Sequence, residues 1–262
     1  MRALSERQFA VALGLALLAA SWPTAAVSPA DPRVLEGFKS CPEHFYGGAA
    51  PLPLIGELNP GQLRALCFDG FAVLHSGASK TAVYVAEHIS PASLKQAKGV
   101  PRTNRFYEEA RLPAAHRARL SDYRGSAMDR GHLAAAAQRH TPESMAQSFS
   151  LANMVPQAPK NNQGAWRARV EAPTLKFAER SRQGVYVLTG PIHASPVRTI
   201  GAGEVWVPAA LFKLVYDPAA RRAWAYVVQN ADEAKVGPPI TYEDLVARLG
   251  MHLLPAGALG AQ

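Results

Sequence analysis

The residues with the most chemical potential lie between positions 129 and 166. Asp129-Arg130-Gly131-His132 sets a histidine beside an acid and an arginine, and Asn153-Met154-Val155-Pro156-Gln157 carries two amides. Thirty residues beyond His132, Asn162 opens the run Asn162-Gln163-Gly164-Ala165-Trp166. A neutral imidazole titrates near pH 6.5 and accepts a proton from water at physiological pH. The amide oxygen of Asn162 is a hard donor of the kind that Mg²⁺ takes while keeping most of its waters. Hydrolysis of a phosphodiester requires an activated water, a counter-charge for the pentacoordinate phosphate and help for the departing 3′-oxygen. His132 meets the first need, and a divalent ion acting as a Lewis acid meets the other two.

The charge around these residues favours a polyanionic substrate. The chain has 28 Lys and Arg against 20 Asp and Glu. Residues 98–139 alone hold nine basic against four acidic side chains, and residues 160–182 hold six against two. The positive charge is therefore gathered around the motifs. Arginine supplies 20 of the 28 cations, and its planar fork suits bidentate contact with phosphate. Rival chemistries lack their signatures: the chain has no H-E-x-x-H, no G-x-S-x-G, no S-x-x-K and no P-loop lysine. Two distant cysteines and scattered histidines also lack zinc-site spacing.

In their order and spacing, the D-R-G-H, N-x-x-P-Q and N-Q-G-A-W motifs resemble those of the DNA/RNA non-specific endonucleases, the ββα-metal nucleases, with softer similarity from about Cys41 to Val228. The resemblance implies an α+β fold, a mostly antiparallel sheet flanked by helices, and a Mg²⁺-dependent endonuclease, with Mn²⁺ as the substitute ion. It implies that His132 is the general base and Asn162 the direct protein ligand to the metal. Asn153 and Gln157 fall on polar positions that orient the metal's water shell or the catalytic strand, and Asp129 and Arg130 fall in the signature itself. A phosphate-stabilising arginine is expected in Arg102-Thr103-Asn104-Arg105-Phe106, with Arg102 preferred over Arg105. Many members carry Glu four residues after the Trp, whereas here Glu171 follows Trp166 by five. On an α-helix one residue turns the side chain by about 100°. Glu171 therefore joins the site only if the helix shifts or bulges. The substrates implied are DNA and RNA held through phosphates, with a homodimer as an assembly to test. The competing reading is a secreted nucleic-acid-binding protein on an inactive nuclease scaffold.

These residues need elements to position them. Residues 1–26 read as a signal peptide, with Arg2 and Arg7, an apolar run from Phe9 to Ala20 and small residues at Thr24-Ala25-Ala26. That run is shorter than the roughly 20 residues needed to span a bilayer. A periplasmic or secreted protein of residues 27–262, a single domain free of the membrane, is the expectation. In such a compartment Cys41 and Cys67 are expected to pair, tying down an irregular arm over Asp31–Pro60. Strand patterns occur at Phe68–His75, Lys80–His88, Gly184–Thr189, Gly203–Val207, Leu211–Tyr216 and Ala223–Gln229. Helix signals cover Gln163–Arg182, broken at Pro173, and begin again at Thr241. Pro255–Gln262 reads as a frayed tail.

Overall fold

The computed structural model describes residues 28–55 and 60–260, so the expected leader lies outside the described residues. Two-residue strands β1 (Ser28–Pro29) and β2 (Leu54–Ile55) pair near its start. Strands β3 (Leu63–Phe68), β4 (Phe71–Ser76) and β5 (Thr81–Ile89) form a meander, followed by β6 (Asp129–His132) and β7 (Met154–Gln157). After them come β8 (Val185–Ile192), the short β9 (Arg198–Ile200) and β10 (Val205–Val207), then β11 (Ala210–Asp217) and β12 (Arg222–Gln229). The order β12-β11-β8-β5-β4-β3 makes one six-stranded antiparallel sheet, and β6 pairs with β7 apart from it. The α+β reading therefore holds.

Period-2 alternation directs each central strand to two different cores. On β11, Phe212, Leu214 and Tyr216 face Phe38, Phe45, Leu245 and Leu253, while Leu211 faces Val155, Trp166 and Val170 on the other side. Both faces are covered, which is why every residue of β11 is buried. One covering layer holds β6, β7 and the helices after them. The other holds the N-terminal arm and the helix Tyr242–Leu249, whose N-cap Thr241 accepts from Asp244 N.

The sequence reading needs two corrections here. The expected strand Phe68–His75 begins only at Phe71, because Asp69-Gly70 turns the chain after β3, a strand that the sequence reading missed. The tail is not frayed over its described part: Ala258 is buried, and its carbonyl accepts from Tyr216 Oη at 2.7 Å. Apolar side chains spaced among small residues hid this docking, since they show no helical or strand period. The irregular arm is tied down as expected: 3₁₀ turns at Pro32–Ser40, Pro42–His44 and Tyr46–Gly48 carry Phe38 and Phe45 into the core, and Cys41 is bridged to Cys67 of β3.

Candidate active site

Close approach of backbone builds the site first. Strand β6 lies against β7 with His132 opposite Met154 and Gly131 opposite Val155. A Cβ on Gly131 would come within 2.7 Å of Gln157 Cβ, so the third residue of the D-R-G-H run must be glycine for the strands to approach this closely. Asn153 is fully buried behind the histidine. Its Nδ2 donates to the Ala134 and Ser148 carbonyls, both at 2.9 Å, and its Oδ1 accepts from Ala134 N at 2.9 Å. Gln157, equally buried, donates to Asn161 Oδ1 at 3.3 Å and so ties β7 to the helix that follows. Both amides therefore hold the framework, and neither lines the cleft.

Six of the expected residues do converge. Arg102, Asp129, Arg130, His132, Asn162 and Glu171 line one cleft of about 560 Å³, whereas Arg105 is exposed elsewhere. The Tyr107 to Phe149 and Leu151 to Tyr107 backbone bonds bring the Arg102–Phe106 segment to the histidine. The His132 ring meets Phe149 edge-on at 5.0 Å and lies 5.8 Å from Phe106. Those two rings also carry the arginines: Arg102 lies 4.9 Å over Phe149 and Arg130 4.1 Å over Phe106. Stacking of this kind holds a guanidinium in place and leaves its edge for an anion.

The electrostatics follow from this packing. Burial, and then the charges of Arg102 and Arg139, push the His132 pKa down to about 3, so the ring is neutral across the physiological range. Its Nε2 is buried without a partner, which leaves Nδ1 as the nitrogen open to the cleft. Burial raises the Glu171 carboxyl above its usual range, and the Lys213 ammonium opposes the rise.

A change of helix type brings Glu171 into the cleft. Residues Asn161–Glu171 form a π-helix, in which Ala172 N–H bonds to Arg167 O five residues back, and the α-helix Ala172–Arg180 continues from it. In a helix bonded i→i+5, residue i+5 falls where i+4 falls in an α-helix. The extra residue between Trp166 and Glu171 is therefore absorbed. Trp166 stays buried as a core anchor and Glu171 turns to the cleft.

At the start of that helix the Asn162 amide has a fixed orientation. Its Nδ2 donates to Asp129 Oδ2 at 2.9 Å, and Gln163 Nε2 donates to the same oxygen at 2.8 Å. A carboxylate only accepts, so Asn162 Oδ1 is the atom left free. Among the described residues no three His, Cys, Asp or Glu side chains form a metal cage. A free amide oxygen in an acid-bearing cleft fits a water-rich hard cation better than zinc.

Beneath the cleft lies a polar cluster that motif reading missed. Lys213 of β11 is fully buried, with Nζ 2.6 Å from Thr189 Oγ1 and 3.4 Å from the Leu133 carbonyl, one residue past His132. Arg139 forms a buried ion pair with Glu87 and donates to the Gly70 carbonyl at 2.7 Å. Burial lowers the Lys213 pKa, and the carboxylates of Glu87 and Glu171 oppose that. The available signal was a lysine inside the apolar run Leu211–Tyr216. Arg167 also lines the cleft without having been singled out.

Beside the six-stranded sheet the chain thus places a two-stranded β-pair and a helix, with a histidine on the strand and an asparagine at the helix start. The profile of the DNA/RNA non-specific endonucleases matches residues 51–249, and the chain belongs to that family. Bovine mitochondrial endonuclease G is 34% identical over 256 residues, covering 86% of this chain and 84% of that protein. Nuclease C1 of Cunninghamella echinulata var. echinulata is 31% identical over 184 residues, covering 64% of this chain and 71% of that protein. The fold matches a chain of the EndoG/EndoGI inhibition complex with a TM-score of 0.64 and 24% identity, covering 72% of this chain and 84% of that one. The chain is thus a nuclease by family. Among its described residues no helix is long and apolar enough to cross a membrane.

Proposed function

We propose that this nuclease is an exported, Mg²⁺-dependent enzyme that cuts DNA and RNA, with His132 as general base and Asn162 as the protein ligand of the ion. The observation that supports this reading best is the meeting of a neutral His132, an oriented Asn162 amide and the stacked Arg102 in one cleft. When bound, the ion would supply Lewis-acid charge to the phosphate and the leaving 3′-oxygen. Asn162 Oδ1 would hold it, and Mn²⁺ would substitute. Asp129 keeps that oxygen facing the cleft. Arg102 binds the phosphate and balances its growing negative charge. With its proton on the buried Nε2, His132 takes a proton from the attacking water at Nδ1. An incoming phosphodiester offsets the Arg102 charge that depresses His132, so substrate itself raises the basicity of the ring. Glu171, also lining the cleft, would accept hydrogen bonds from water held by the ion. Export rests on the leader-like residues 1–26.

The test is plasmid and RNA cleavage by residues 27–262 with Mg²⁺, with EDTA and with two variants. Degradation in Mg²⁺ alone, lost in Asn162→Ala and reduced about 10²- to 10⁴-fold in His132→Ala with nucleic-acid binding retained, is the expected result. Folded wild-type protein that binds nucleic acid tightly and cuts nothing in Mg²⁺ or Mn²⁺ would transfer the reading to a binding protein on an inactive scaffold.

A further inference from the structure

Beside the cleft lies a second cavity of about 380 Å³, lined by Leu120, Tyr123, Arg124, Met128, Asp129 and Arg130. It shares Asp129 and Arg130 of β6 with the cleft, so the two adjoin at that strand. Its volume falls in the range of small-ligand sites. The lining is of mixed character. Leu120 is one of only two large hydrophobic side chains exposed among the described residues, and Met128 is half-buried beside it. Arg124 and Arg130 are both exposed at the rim. Tyr123 is buried, and its hydroxyl has no hydrogen-bond partner.

The walls are held in shape. Asp122 accepts from Arg119 N and Gly203 N, both at 2.8 Å, which anchors the short helix Leu120–Tyr123. Gly125 and Ala127 both have positive φ, at 71° and 60°, and Ser126 Oγ donates to the Tyr123 carbonyl and accepts from Met128 N. A non-glycine residue in the left-handed region persists where its surroundings impose it. The loop is thus built to present Met128 and Arg124 together.

We propose that this second cavity is a nucleotide subsite, taking the base and sugar of an unpaired nucleotide beside the scissile phosphate. Leu120 and Met128 contact the ring, and Arg124 binds the phosphate beyond. Apolar contact with a base face tolerates every base, so the subsite selects strand state rather than sequence. A paired base is unavailable to it, because filling the cavity requires the nucleotide to leave the stack. The proposal rests on the nuclease reading of the adjoining cleft, and predicts that single-stranded or frayed substrates are cut faster than stable duplex.

The test uses single-stranded oligonucleotides with one native phosphodiester among phosphorothioate linkages and one abasic residue moved stepwise along the strand. For the wild type, kcat/KM falls about tenfold when the abasic residue occupies one position next to the native linkage, in keeping with the worth of a stacked base. In Leu120→Ser/Met128→Ala that position dependence disappears. Leu120→Ser alone, at an exposed site, keeps the test valid if the double variant melts early. A flat abasic profile in the wild type, or a profile that the variants retain, overturns the subsite while leaving the nuclease reading intact. No cleavage of the native linkage in Mg²⁺ removes both.

Discussion

His132 shows how far packing decides chemistry at the scale of one residue. Its own strand supplies only the direction; Phe149, Arg102 and Arg139 determine its charge. A base must be unprotonated, so the acid limb of kcat/KM should lie below pH 6.5, the ordinary histidine value, and a limb at or above 6.5 would remove the neutral, desolvated histidine from the mechanism. Arg139 and Glu87 are each about 2% exposed, so removing one charge strands the other. Arg139→Met should cost about 3–5 kcal/mol in urea denaturation, and a loss under 1 kcal/mol would show that Glu87 finds another partner. His132, Asn162 and Arg102 were legible because their motifs name them. Lys213, Glu87 and Arg139 were not, because a buried charge becomes visible only when the sheet brings residues 87, 139, 189 and 213 together.

At the scale of elements, the π-helix brings Glu171 to the cleft despite its five-residue spacing from Trp166. The spacing between Trp166 and Glu171 was legible as an anomaly, but whether it rotated Glu171 away depended on hydrogen bonding that no residue pattern encodes. Deleting the exposed Ala168 should restore an α-helix with Glu four residues after Trp, keep Glu171 aimed at the cleft and leave cleavage within about threefold of wild type. Inserting a second alanine there should turn the carboxyl by about 100° and lower kcat. Equal activity in the deletion and the insertion would show that the carboxyl's direction is immaterial. The short helices Pro91–Ala97 and Pro142–Gln147 escaped the sequence reading because each is under two turns of apolar period. Both carry the Ser or Thr cap followed by Pro that could have revealed them.

For the molecule as a whole, acidity should act on folding through its buried histidines. Burial lowers His75 and His193 to about 4 each and His132 to about 3. Each folded pKa lies below the unfolded value near 6.5, so the unfolded chain binds more protons between the two. Stability is therefore complete above pH 6.5 and declines as pH falls toward 4. Glu171, raised by burial, works in the opposite sense, while His44, also lowered by burial, adds to the three. Thermal melts should show a Tm at least about 5 °C lower at pH 5 than at pH 7, and an unchanged Tm would mean that these rings protonate without opening the fold. The sheet itself divides labour between its faces. The arm, its bridge to Cys67 and the docked tail lie against one side, and the cleft lies against the other. Longevity and speed are thus written into separate layers: changes to the arm or tail lengthen or shorten the enzyme's life without retuning how fast it cuts.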